Sequence, residues 1–124
     1  MYDRNMNARN YGLYSRDIKK AAKNALIERG SSFSSVATLS DRFNRFSDWA
    51  FKNHQLKDLR HIQNQHLIEY GAYISDLIKS NNLAITTGQN YLSAINTVLE
   101  QARQDNEVSI KPSKNYRSTD VSQY

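Results

Sequence analysis

The chain has 124 residues, a mean hydropathy of −0.76, a formal net charge of +5 and no cysteine. Disulfide frameworks, thiolate metal sites and cysteine nucleophiles are therefore excluded. No apolar run of about 18 residues is present, so the sequence predicts no transmembrane helix. The first ten residues lack the apolar stretch of a signal peptide, and we expect a cytoplasmic protein.

The positive charge is concentrated in the first half of the chain. The first 62 residues carry twelve Lys or Arg and six Asp or Glu, whereas the last 62 carry five and six. Such asymmetry, with an isoelectric point near 9.5, makes a polyanion the first partner to consider. The alternative is a solvated surface that happens to be basic.

Residues 1–14 have no hydrophobic period and are expected to form a flexible lead-in. Ser15 is a plausible N-cap for a first helix that runs to about Arg29, and Gly30 follows in the favoured position after a helix end. One side of this helix is a narrow stripe of small apolar residues. The other side is basic and suits either solvent or phosphate groups; it carries Arg16, Lys19, Lys20 and Lys23.

A second helix is predicted from about Ser35 to Asn53, because its apolar residues recur at helical spacing. Trp49 is interpreted as a packing residue of this apolar side, which also includes Val36, Leu39, Phe43, Phe46, Ala50 and Phe51. Thr38, Arg42 and Arg45 face outward. Residues 55–62 are expected to be an extended connector that buries Leu56, Leu59 and Ile62.

Asn64 can cap a third helix that ends near Lys79. The fourth helix is predicted to reach about Gln104 and to begin with a capping box, since Thr86 and Gln89 stand three residues apart. Its apolar positions again follow helical spacing. Its opposite face is polar but almost uncharged, and this composition suits hydrogen bonding to a partner; the residues are Gln89, Asn90, Ser93, Asn96 and Thr97.

From Asp105 the periodicity ends, and residues 105–124 are expected to form an exit linker. The whole chain is thus predicted to be all-α, a compact bundle of four main helices in one domain over residues 15–104. No phosphate-binding loop or nucleophile elbow occurs. The spacing of His54, His61 and His66 does not favour a metal site. We therefore expect no cofactor, no metal and no enzymatic activity in this chain.

Residues 35–103 resemble the N-terminal core-binding (SAM-like) domain of phage integrases, the tyrosine recombinases. One family pattern is a helix that opens with Thr and is rich in aromatics, and Thr38, Leu39, Phe43, Phe46 and Trp49 are similar to it. The connector and third helix, Leu59–Tyr70, follow in the family order. Thr87–Ile95 is similar to the family pattern of Thr, Asn and a small-residue pair, and it is the most specific match.

The resemblance implies that the domain contacts one face of a recombination-site duplex, while a separate catalytic domain grips the other. Carried over by position, it implies DNA contacts by residues of the second helix, Thr38, Arg42 and Arg45, and of the fourth helix, Thr87, Gln89, Asn90 and Ser93. It implies no membrane partner and permits an oligomer on DNA. The catalytic pattern, including H-x-x-R, does not occur here, so residues 105–124 would lead to a catalytic domain outside this sequence, with Tyr124 a linker residue.

A second hypothesis is a helical protein-interaction module whose basic first helix binds an acidic partner. It predicts that Ala21, Ala25 and Leu26 are exposed as a docking stripe. A third hypothesis, an intact enzyme, would require convergent acid–base residues that the sequence does not display. The DNA-binding hypothesis instead assigns sequence reading to the fourth helix and phosphate contacts to the first two.

Overall fold

The computed structural model describes residues 4–111, and these residues form four α-helices without any β-strand. The helices are α1 (Ile18–Glu28), α2 (Phe33–His54), α3 (Asn64–Lys79) and α4 (Ile85–Arg103). A tight turn, Arg9–Gly12, precedes α1 and has Asn10 and Tyr11 at positive φ. A 3₁₀ turn, Leu59–His61, connects α2 with α3. The predicted all-α architecture is confirmed. No helix of the described part is long and apolar enough to cross a bilayer.

Helix α1 begins two residues later than a cap at Ser15 predicts. Asp17 is the N-cap and its carboxylate accepts from the backbone N–H of Lys19 at 3.1 Å. A β-region cap with a side-chain acceptor satisfies one of the free N–H groups at a helix start. The end is as predicted, because Gly30 follows the helix with a φ of +87°, which glycine adopts without steric cost.

Helix α2 is longer than predicted at its N-terminus. The hydroxyl of Ser32 accepts from the backbone N–H of Ser35 at 3.2 Å and caps the helix. Val36, Phe43, Phe46 and Ala50 are buried, as their spacing predicts. Phe51, which was expected to widen the apolar face, is instead 51% exposed, because its position lies about 140° around the helix from Phe46.

The connector buries Leu56, Leu59 and Ile62 as predicted, although Leu59–His61 forms a 3₁₀ turn and is not extended. At the start of α3 the N-cap is Gln63, one residue before the predicted Asn64. Gln63 and His66 form a capping box, in which Nδ1 of His66 accepts from the N–H of Gln63 at 2.9 Å.

The capping box predicted for α4 is wrong. Ala84 is the N-cap, no side chain caps the helix, and Thr86 already lies inside the first turn. Ile85 and Leu83 pack against the core at this point, so apolar packing determines where the helix begins. Leu92, Ile95, Val98, Leu99 and Ala102 form the buried side of α4, in accordance with the predicted period.

The expectation of a flexible lead-in is wrong for residues 4–14, which pack against the helices. Asn10, Tyr11 and Leu13 are buried. The Asn10 N–H donates to the Asp58 carboxylate at 2.8 Å, and the Asn10 side-chain oxygen accepts from the Leu59 N–H at 2.8 Å. These contacts join residues 48 and 49 positions apart in the sequence. A local hydrophobic period therefore does not predict them.

The Asp58 carboxylate links the N-terminal segment to the connector. Asp58 is buried, and its second oxygen accepts two hydrogen bonds from the Arg60 guanidinium at 2.9 and 2.7 Å. Arg60 also donates to the carbonyl of Asn7 at 2.9 Å. Hydrogen bonding to the ionised form of a carboxylate favours that form, so the link is strongest when Asp58 is charged.

The start of the predicted exit linker also packs on the helices. Ile110 is buried, and its backbone pairs with the side chain of Asn96, which donates to the Ile110 carbonyl at 2.5 Å and accepts from its N–H at 2.9 Å. The side chain of Asn64 likewise donates to the Glu107 carbonyl at 3.2 Å and accepts from the Ser109 N–H at 3.0 Å. The linker prediction for residues 112–124, including Tyr124, lies outside the described residues.

Candidate nucleic-acid interface

The outward stripe of α2 brings the three site residues predicted on this helix together. Thr38, Arg42 and Arg45 lie within about 60° of one another around the axis, and Trp49 and Lys52 continue the same stripe. Arg45 and Lys52 are exposed and Arg42 is half-buried. Helical spacing alone therefore places the predicted cations on one surface.

Two of these side chains already have intramolecular partners. The Thr38 hydroxyl donates to the carbonyl of Ser34 at 3.0 Å, so that only its acceptor capacity is left for a ligand. Arg45 lies 3.5 Å from the Asp41 carboxylate, with both side chains more than half exposed. Exposed ion pairs of this kind contribute about 0–1 kcal/mol, so the Arg45 guanidinium can exchange Asp41 for a phosphate at little cost.

Arg45 also connects the stripe to α4. Its guanidinium carbon lies 5.7 Å from the centre of the Tyr91 ring, within the range of a cation–π contact. Thr87, one turn before Tyr91, is half-buried on the same side of α4. The α2 stripe and the first two turns of α4 therefore adjoin.

An open groove of about 650 Å³ lies between α2, α3 and the N-terminal half of α4. Trp49 stacks on Phe46 with 6.1 Å between ring centres, and it lies 5.1 Å from Tyr70 and 6.3 Å from Tyr73 of α3. The interpretation of Trp49 as a packing residue agrees with these contacts, although Trp49 also lines the groove. The rim carries Arg45, Lys52, Asn53, Tyr73, Asn82 and Tyr91.

The four predicted residues of α4 do not share one face. Thr87 and Gln89 are two residues apart and therefore lie about 160° apart around the helix axis. Asn90 and Ser93, which lie between them, are exposed, while Thr87 and Gln89 are half-buried at the two edges. The exposed centre of the polar face is thus Asn90 and Ser93, with Thr87 nearest to Arg45.

Asn96 and Thr97 were expected on the same hydrogen-bonding face, but both have partners within the molecule. Both hydrogen bonds of the Asn96 amide go to Ile110, as described above. The Thr97 hydroxyl donates to the carbonyl of Ser93 at 3.0 Å. The polar composition of the second half of α4 is therefore explained in part by intramolecular contacts.

The structure separates the two lysines predicted on α1. Lys19 forms an ion pair of 2.7 Å with Asp48 of α2, which places this edge of α1 beside the α2 stripe. Lys20 is exposed and lies about 100° further around α1. Only Lys19 is thus brought near the residues of α2.

Histidines meet at the joint between α2 and α3. Nε2 of His54 lies 2.8 Å from Oε1 of Glu69, and the rings of His54 and His66 are 4.9 Å apart. Burial, together with the nearby His54, lowers the pKa of His66 below its ordinary value. Within residues 4–111 no group of three His, Cys, Asp or Glu side chains could hold a metal ion.

Three residues line the groove but are not among the site residues predicted from the sequence: Lys52, Tyr73 and Tyr91. Lys52 could have been found, since it continues the spacing of Thr38 and Arg45 along α2. The tyrosines could not, because their place in the groove depends on how α3 and α4 pack against α2.

A family model described as "Phage integrase, N-terminal", of the SAM-like type, matches residues 12–108, more than three quarters of the chain. The searches of curated proteins and of solved structures gave no match. The matched range includes all four helices and every residue of the candidate interface. The four-helix architecture and the family match agree, and the chain belongs to the family of phage integrase N-terminal, SAM-like domains.

Proposed function

We propose that this domain is the DNA-binding, core-binding part of a tyrosine-recombinase-type integrase and that it contacts the recombination-site duplex. Arg42 and Arg45 hold backbone phosphates, and the exposed polar side chains of α4 meet base edges in the major groove. Arginine recognises phosphate through its fork of donors, and asparagine can pair with adenine.

The observation that supports this proposal is the junction of α2 and α4 at Arg45 and Tyr91. It brings the cationic stripe of α2 beside the edge of α4 that carries Thr87, next to the exposed amide of Asn90. The Arg42 side chain forms no hydrogen bond or ion pair with any residue in the range 4–111. A cationic stripe beside an uncharged polar face combines a positioning surface with a specifying one.

The protein-interaction alternative loses its main support. It requires Ala21, Ala25 and Leu26 to be exposed as a docking stripe, and all three are fully buried. The basic side of α1 could still meet an acidic protein, but that protein would have no apolar stripe on α1 to bind.

The proposal assigns DNA binding and strand cleavage to different domains of a longer protein. Strand cleavage would belong to a separate catalytic domain, and the two domains would clamp the duplex together, as an oligomer on DNA in the cytoplasm. Residues 4–111 would supply binding and no covalent chemistry.

The decisive experiment measures binding of fluorescently labelled duplexes of mixed sequence by anisotropy at several salt concentrations. We expect a linear log–log salt dependence, and Arg42→Gln or Arg45→Gln should each make the slope shallower by about 0.9. Gln89→Ala and Asn90→Ala should leave the slope unchanged and weaken the preference among sequences selected from the pool.

Arg29→Gln is the matched control, because it removes one exposed charge at the far end of α1, where the side chain bonds only to Ser31. Absence of duplex binding at about 50 mM salt, where phosphate contacts are strong, would contradict the proposal. Equal losses for Arg29→Gln and Arg45→Gln would contradict the assigned surface.

A further inference from the structure

A second basic depression, of about 620 Å³, lies beside the connector between α2 and α3. We name it the connector pocket and define it by Arg9, Arg16, Lys57 and Arg60. It draws on the N-terminal segment, the residues before α1 and the connector, so its four cations come from three places in the sequence. It shares none of its lining residues with the groove between α2, α3 and α4.

The charge of the connector pocket is poorly balanced. Its one acidic lining residue is Asp58, which is buried and already engaged by Arg60 and by two backbone N–H groups. The Arg16 side chain forms no ion pair or hydrogen bond within the described residues. The Lys57 ammonium forms no ion pair there either and lies 5.7 Å from the centre of the Phe51 ring. Three of the four cations therefore have no anionic partner in residues 4–111.

Arg9 supplies an independent observation. Its Nε atom is buried and has no hydrogen-bond partner among the described residues. A buried donor without an acceptor costs about 1–3 kcal/mol, and buried polar groups almost always have a partner. An anion in this pocket would interact with the positive charge of Arg9, which lines it.

The connector pocket adjoins the surface proposed for DNA. Arg9 and Lys57 also line a neighbouring depression together with Lys19 and two carboxylates, Asp17 and Asp48. Asp48 in turn lines the groove beside Arg45. Asp48 is paired with Lys19, so its negative charge is compensated. A continuous path thus leads from Arg45 across the C-terminal half of α2 to the connector pocket.

We propose that the connector pocket binds a phosphate group of the DNA backbone, as a second contact beyond the α2–α4 surface. This inference rests on the proposed function, because the anion is taken to be a phosphodiester of the same duplex. Guanidinium groups bind phosphate oxygens through paired, charge-assisted hydrogen bonds, and Lys57 adds an exposed positive charge.

The test compares single charge removals by the same anisotropy measurement. We expect Arg16→Gln and Lys57→Gln each to make the salt slope shallower by about 0.9 and to weaken binding several-fold, whereas Arg29→Gln leaves both unchanged. Arg60 is not substituted, because it also holds Asp58. Thermal unfolding of each variant verifies that the fold is retained.

A nuclear magnetic resonance titration with the duplex, and separately with inorganic phosphate, identifies the source of the anion. We expect the duplex to shift the backbone amides of Arg9, Arg16 and Lys57 at concentrations where inorganic phosphate has little effect. If inorganic phosphate shifts these amides and the duplex does not, the inference is overturned and the pocket binds an adventitious ion only.

The two proposals fail in different ways. If Arg45→Gln changes the salt slope but Arg16→Gln and Lys57→Gln do not, the connector pocket is not a DNA contact and the proposed function stands. If the parent protein binds no duplex at all, the proposed function fails and this inference fails with it.

Discussion

Gly88 controls the distance between α3 and α4. A Cβ atom added at this position would lie 2.8 Å from Cγ2 of Ile74 and 3.0 Å from Cδ1 of Ile78. The first contact is with a methyl group on the branched Cβ of Ile74, whose χ1 has one strongly preferred rotamer in a helix. The glycine therefore permits the close approach that positions the first turns of α4, where Thr87 and Asn90 lie.

We expect Gly88→Ala to lower the free energy of unfolding by about 1 kcal/mol, although alanine is the better helix former. Overpacking costs about 1–3 kcal/mol, and the gain in helix propensity returns at most about 1 kcal/mol. Urea unfolding followed by circular dichroism measures the difference. Glu100→Ala, at an exposed position of α4, is the control, and greater stability of Gly88→Ala would contradict the close approach.

At the scale of elements, the amide side chain of Asn96 contributes to holding the residues that follow α4 in place. Asn96 makes two hydrogen bonds to the backbone of Ile110 and so imitates a strand partner. Removing the amide leaves a partly buried N–H and carbonyl without a partner, which costs about 1–3 kcal/mol. Residues 105–111 would then be held mainly by Asn64 and by burial of Ile110.

We expect Asn96→Ala to accelerate hydrogen exchange of the Ile110 amide by about fivefold to a hundredfold, since about 1.4 kcal/mol is a factor of ten in an equilibrium constant. Duplex binding should be little changed. Thr97→Ala is the matched control, because the Thr97 hydroxyl bonds only within α4. Unchanged protection of Ile110, or a loss of sequence preference in Asn96→Ala, would show that Asn96 acts elsewhere.

The elements themselves were largely predictable. Apolar residues at helical spacing identified all four helices, because each helix buries one side, and the outward stripe of Thr38, Arg42 and Arg45 followed from the same periodicity. Helix starts were harder to predict. Thr86 and Gln89 have the spacing of a capping box, but the packing of Leu83 and Ile85 on the core begins α4 earlier.

The candidate site was predictable only where it lies on one helix. Gln89 and Thr87 belong to one polar run, yet they point to opposite edges of α4. The connector pocket gathers Arg9, Arg16 and Lys57 from segments without helical period. Such a cluster exists only once long-range contacts, chiefly those of Asn10 with Asp58 and Leu59, have fixed the N-terminal segment.

At the scale of the whole molecule, the link between the N-terminal segment and the connector is sensitive to acid. Burial alone would raise the pKa of Asp58, but hydrogen bonds from Arg60 and from the backbone of Asn10 outweigh it and lower the pKa to about 2. In the unfolded chain an aspartate has a pKa of about 3.9. The stabilisation is therefore complete above about pH 5 and is lost as the pH falls toward 2.

We expect Asp58→Asn to reduce the free energy of unfolding at neutral pH by about 1–3 kcal/mol, through loss of charge-assisted hydrogen bonds. The difference from the parent should shrink steadily when unfolding is measured between pH 5 and pH 3, because Asp58 takes up a proton in the unfolded parent in that range while it stays ionised in the folded protein. Asp41→Asn, at an exposed carboxylate, should show no such convergence. A difference independent of pH would contradict the role given to the charge of Asp58.

The anchoring of residues 107–110 by Asn64 and Asn96 also determines how the domain responds to force. Tension applied at residue 111 acts first on the side-chain hydrogen bonds to Ile110 and Ser109, before it reaches the backbone of α4. These bonds would break one after another and release the segment of residues 107–110, while the helices stay in place. The hydrogen bonds of the two asparagines would thus break before α4 is disturbed, and α4 would keep its position when the chain beyond it is pulled.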